Sequence, residues 1–176
     1  LFVERVLDRI EMGILLLTKG KSKSVKSNED LDIYVKISMQ KVSGIDSTHQ
    51  RINVLRELLA INKNPDNLPE IKEKLEKNYI LLLKELFQMG NTKRIPELLK
   101  ELHRLDLFKR NIGLLLQTIV FLIDTYYMHS DDILKTIELL ENQWALTQDQ
   151  YKLLEKPQIS AITNVVIAKL NKGHFS

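Results

Sequence analysis

The chain has no cysteine, which within these 176 residues excludes disulfides, thiolate metal sites and a cysteine nucleophile. Glycine and proline are scarce, at six and four residues, too few to punctuate the turns of a β-sandwich or barrel. No long apolar run is present. The most apolar stretch, residues 112–123, is interrupted by Gln117 and Thr118 and is too short to cross a bilayer, so no membrane span is expected. A strong excess of one charge is missing too. The net charge of +3 permits contact with nucleic acid or anionic lipid without requiring it. The four histidines, His49, His103, His129 and His174, stand alone, none with another histidine three or four residues away as a metal-binding motif would have, and read as surface or turn residues. There is no glycine-rich phosphate loop and no nucleophile elbow. The chain therefore does not read as an enzyme, and no cofactor or metal is expected.

What remains is a helical sequence. It is 44% apolar and 28% charged, which supports a packed core and argues against disorder. Apolar residues Val3, Val6, Leu7, Ile10, Ile14 and Leu17 recur at helical spacing and predict a helix over residues 3–18. Residues 19–28, with Lys19, Lys21, Lys23 and Lys26 among serines, break that pattern. They read as a solvated loop or, alternatively, as an arm that contacts polyphosphate. A second helix is expected over residues 31–42. Ser47 and Gln50 have the spacing of a capping box that opens a helix to about residue 61, and residues 64–67 form a turn. Pro69 suits the first turn of a helix.

The remainder reads as paired helices. Residues 78–89 carry Tyr79, Leu82, Leu83 and Leu86 on one face and end at Gly90-Asn91, a left-handed cap. Thr92 is positioned to cap the next helix, to residue 105, with Pro96 in its first turn. Residues 111–128 are apolar nearly all round, which predicts burial on both sides. Asp131-Asp132 suit the positive end of the helix that follows, and capping explains this carboxylate pair. Thr147 and Gln150 form a second possible capping box. Pro157 reads as the start of a last helix, closed by Lys172-Gly173. Trp144, the single tryptophan, lies at a helix end in a packing role, with stacking on a base or partner as the alternative. Leu at position 1, and the end at Ser176 just past a turn, read as a piece of a longer protein from which a targeting peptide could have been removed.

Turn residues Gly90, Ser130 and Gly173 are spaced by 40 and 43 residues, and helix pairs at such spacing stack, since no single pair buries its own apolar face. In detail, Leu122-Ile123-Asp124-Thr125-Tyr126, then Ser130-Asp131, then Ile137-Glu138-Leu139-Leu140-Glu141, and in a second copy Gly90-Asn91 with Glu97-Leu98-Leu99-Lys100-Glu101-Leu102, resemble pentatricopeptide repeats over residues 76–176. The repeats are longer than that family's norm of about 35 residues. The resemblance is to a degenerate protein of fungal mitochondrial type, and richness in Lys, Asn and Ile fits an AT-rich genome. It implies an all-α, right-handed solenoid of antiparallel helix pairs, preceded by a helical segment over residues 1–75 without a convincing repeat. It also implies a mitochondrial protein that binds single-stranded RNA and acts in RNA maturation, stability or translation. Small residues needed where tetratricopeptide helices cross are missing, while armadillo- or HEAT-type pairs stay open.

The base-reading position implied by the resemblance falls at Ile80, Val120 and Thr163, with Asn164 beside the last. Ile80 and Val120 cannot hydrogen-bond to a base edge. Phosphate contact would fall to Lys93, Arg94, Lys100 and Arg104, with Lys109, Arg110, Lys169 and Lys172 as further cations. Glu97 and Glu101 among them fit equally an ordinary salt-bridged face. The apolar code positions favour the alternative function, a helical scaffold for a protein partner.

Overall fold

The computed structural model describes residues 28–171. The helix expected over residues 3–18, the Lys/Ser-rich loop up to residue 27, and Lys172, Gly173 and His174 lie outside the described residues. Among the described residues the chain is all-helical, as expected, with no strand. Its helices are α1 (Asn28–Val42), α2 (Thr48–Ile61), α3 (Leu68–Gln88), α4 (Ile95–Arg104), α5 (Ile112–Thr125), α6 (Ser130–Gln143) and α7 (Gln148–Asn171). Single 3-10 turns, Pro65–Asn67 and Thr92–Arg94, precede α3 and α4. No helix among the described residues is long and apolar enough to cross a membrane. Two compact units divide between Leu82 and Leu83, inside α3.

In the first unit α1 packs on α2. Leu31, Val35, Met39 and Val42 recur every three or four residues along α1 and are buried, as are Ile52, Leu55 and Leu58 of α2 and Ile71, Leu75 and Tyr79 of α3. The capping box at Ser47 forms its first half, the Ser47 hydroxyl accepting the Gln50 N–H at 3.4 Å. Arg51 then ties the α1–α2 turn to α3. Its Nε donates to Asn78 Oδ1 at 2.6 Å, and its terminal nitrogens to the Ile45 carbonyl at 2.7 Å and Thr48 Oγ1 at 3.0 Å. Asp32 does the same for the turn before α3, accepting from Asn64 Nδ2 at 2.8 Å and Asn67 Nδ2 at 2.5 Å. Lys36 sits 2.8 Å from its other oxygen. The Lys36 contact first, then the two amides, hold the Asp32 carboxyl down to about 2.

In the second unit Gly90 adopts a φ of +67°, and the Asn91 N–H reaches the Leu86 carbonyl at 2.8 Å, the predicted left-handed cap of α3. The core is Leu83, Leu86 and Phe87 of α3, Ile95, Leu99 and Leu102 of α4, Leu115, Leu116, Ile119 and Leu122 of α5, and Ile137 and Leu140 of α6. Trp144 is buried as expected, its Nε1 3.4 Å from the Leu107 carbonyl. The second capping box is complete: Thr147 N–H donates to Gln150 Oε1 at 2.9 Å, and Gln150 N–H to Thr147 Oγ1 at 3.4 Å. The closest helix approaches in this unit are α6 on α7, α4 on α6 and α5 on α7. The expected pairs, residues 78–89 on 92–105 and 111–128 on 131–143, are not among them. Helix α7 buries the small Ala161 on the side that carries Leu154 and Pro157, and α7 approaches both α5 and α6 closely.

Several boundaries differ from expectation. The helix expected over residues 31–42 begins at Asn28, and the one over residues 78–89 begins at Leu68, ten residues earlier. Thr92 does not cap α4 but opens a 3-10 turn and is itself buried; α4 follows with no side-chain cap. Pro157 does not start a helix. It lies inside the 24-residue α7 with its ring buried, and that burial offsets the lost backbone hydrogen bond. Helix α5 is not buried on both sides, since Leu114 and Phe121, seven residues apart on one face, are exposed.

Candidate nucleic-acid interface

The sequence between α5 and α6 is Tyr126-Tyr127-Met128-His129. Helix α5 stops because Tyr126 turns to an extended conformation, its N–H held by the Leu122 carbonyl at 2.8 Å. Met128 is buried and anchors the connection. The two flanking rings are thereby left outside: Tyr127 is 77% exposed, and His129 is exposed at the N-cap of α6. The Tyr127 hydroxyl and His129 Nδ1 are hydrogen-bonded at 3.2 Å, with ring centroids 5.1 Å apart and planes at 76°. That edge-to-face contact fixes both rings in an otherwise solvated place.

Opposite them runs the middle of α7. Between the two lies an open cleft of about 740 Å³, with Tyr127, His129 and Asp131 on one side and Lys156, Ser160 and Asn164 on the other. Lys156 is paired with Asp124 at 2.9 Å. Asn164 offers an amide donor and acceptor, Ser160 a hydroxyl, and Tyr127 a ring face. With Asp124 neutralising the nearest ammonium and Asp131 at the rim, the cleft suits a planar, neutral heterocycle better than a phosphate. Thr163 is exposed next to Asn164 but is not in the cleft lining. Its hydroxyl donates to the Ile159 carbonyl at 2.8 Å. Ile80 and Val120, the other two positions of the supposed code, are half-buried.

The four selected cations separate. Lys93 and Lys100 face a second cleft, of about 520 Å³, between α4 and α6, whereas Arg94 and Arg104 are exposed outside its lining. That cleft is of mixed sign: Lys135 adds to the two lysines, but Glu97, Asp132 and Glu138 oppose them, and Lys100 pairs with Glu97 at 2.8 Å. Lys109 is paired with Asp106, Arg110 is exposed, and Lys169 is exposed near the end of α7. No group of three or more His, Asp or Glu residues among the described ones could hold a metal ion. Sequence reasoning selected Asn164 but missed Tyr127, His129, Lys156 and Asp124; the only signal was the aromatic run at the turn.

No protein-family model matches the chain, and no curated protein or solved structure is significantly similar to it.

Proposed function

We propose that the chain is a non-enzymatic helical-repeat module that binds single-stranded RNA, holding one base in the cleft between the α5–α6 turn and α7. The observation that carries this is the exposed, mutually fixed Tyr127–His129 pair facing Asn164 across the cleft. A ring face beside an amide is the arrangement by which single-stranded bases are stacked and read. The close approaches of alternate helices, α4 to α6 and α5 to α7, support the reading as a stacked helical repeat, and the pentatricopeptide resemblance implies a right-handed solenoid. The pentatricopeptide resemblance adds the cellular setting, mitochondrial RNA maturation, stability or translation.

A second reading, a scaffold for a protein partner, is favoured by the half-buried Ile80 and Val120 and by the mixed charge of the α4–α6 cleft. The two readings separate on fluorescence anisotropy with short single-stranded RNAs. Under the RNA reading Tyr127→Ala weakens binding by roughly 5- to 150-fold, the equivalent of one stacked base at about 1–3 kcal/mol. Asn164→Ala changes the preference among bases at one position. Absence of binding by the unaltered chain at low salt favours the scaffold.

A further inference from the structure

Helix α7 carries a second feature, on a different side from the cleft. Its buried residues, Leu154, Pro157 and Ala161, define an inner face. At 3.6 residues per turn, the outer face presents Ile159, Ile162, Val166 and Leu170, exposed by 64%, 48%, 48% and 48%. Scattered exposed apolar residues are ordinary, but four on successive turns of one face form a stripe that calls for a cover. Glu155 and Lys169 flank the stripe at its two ends, each seven residues from Ile162. Both are exposed, and neither has an ion-pair partner among the described residues.

We propose that this face pairs antiparallel with the same face of a second copy of the chain, about a two-fold axis at Ile162. The charges select this occupant. A two-fold axis there sets Glu155 of each copy opposite Lys169 of the other, so two complementary pairs close the ends of the apolar seam. Ile159 of one copy then lies between Ile162 and Val166 of the other. A parallel pairing would set Glu155 against Glu155 and Lys169 against Lys169, and like charges oppose it. One helix stripe on each side makes a small contact, below the standard size for specific interfaces, so the dimer is weak and concentration-dependent.

The test uses the whole chain in analytical ultracentrifugation over a wide concentration range. The unaltered chain shifts from monomer to dimer as concentration rises. E155K and K169E each lower the dimer fraction, and the double variant E155K/K169E restores it, because the swapped charges are again complementary. That restoration cannot come from misfolding. Since the chain has no cysteine, Ile162→Cys supplies a single thiol that oxidises to a disulfide-linked dimer, whereas Ser160→Cys, off the stripe, does not. A chain that stays monomeric throughout overturns the proposal. So does a dimer that ignores both charge changes, or single variants that the double variant fails to rescue, since each points to another occupant of this face.

Discussion

Helix α5 offers a quantitative comparison within one element. Leu116 is fully buried in it, whereas Leu114, two residues earlier, is 51% exposed. Replacing Leu116 by Ala removes buried methyl groups and leaves a cavity, at about 2–5 kcal/mol. Full burial of a leucine is worth about 1.5–3 kcal/mol, so Leu114→Ala, which forfeits roughly half of that, costs about 1 kcal/mol. For a chain of this length each kcal/mol moves the melting midpoint by about 2–4 °C. Leu116→Ala is then expected to lower it by roughly 4–20 °C, and Leu114→Ala by about 2–4 °C. The assay is thermal and urea unfolding followed by far-UV circular dichroism. Equal losses at the two positions would refute the one-sided burial of α5. On the same reasoning Leu116→Asp prevents folding of the second unit, while Ile123→Asp, at a half-buried position, is milder.

Four further substitutions concern local structure. Gly90→Ala is expected to destabilise by about 1–2 kcal/mol, because the left-handed φ of +67° penalises any Cβ although no atom lies within 4 Å of it. Gly113→Ala, in a helix with only the flexible Gln150 amide 3.9 Å away, is expected to stabilise by about 0.5–1 kcal/mol. Urea midpoints moving in the same direction for both would contradict this. Arg51→Lys is expected to cost about 1–2 kcal/mol in urea unfolding, since an ammonium cannot span Asn78, Ile45 and Thr48 together. Asp32 has a folded value of about 2, below the ordinary carboxylate value near 4. Its contribution is therefore complete above about pH 4 and is lost as pH falls towards 2. The urea midpoints of the unaltered chain and Asp32→Asn should differ at neutral pH and converge in acid; a gap independent of pH would exclude the linkage.

Features decided by neighbouring residues were legible in the sequence. The Ser47 cap, the complete Thr147–Gln150 capping box, the Gly90 cap and the buried Trp144 follow from local hydrogen bonding and from residue type, and each is present. Features decided by what a neighbour covers were not. Pro157 announces a missing N–H but not the burial of its ring that lets α7 run through. The apolar periodicity of α5 cannot reveal that Leu114 and Phe121 face no partner. Short turns after α3 and α5 suggested that each helix packs on the next, yet the close approaches are α6 on α7, α4 on α6 and α5 on α7. The cleft shows the same limit. Asn164 was reached by counting repeats, but Tyr127 and His129 lie more than thirty residues earlier and meet it only through the packing of α5 and α6 against α7. Among the cations, Lys93 in the 3-10 turn and Lys100 on α4 line one cleft, whereas Arg94, directly after Lys93, and Arg104, at the end of α4, are exposed outside it.

The RNA proposal is tested most directly by equilibrium binding of the whole chain to single-stranded RNAs of varied sequence at several salt concentrations. A base in the cleft and few phosphates on the mixed-charge groove predict measurable affinity that falls only gently with salt. Lys93→Ala combined with Lys100→Ala flattens that slope further and weakens all RNAs alike, whereas Tyr127→Ala removes most of the affinity at every salt concentration. An unaltered chain that binds none of the RNAs at low salt, or a Tyr127→Ala variant that binds as well as the original, would contradict it.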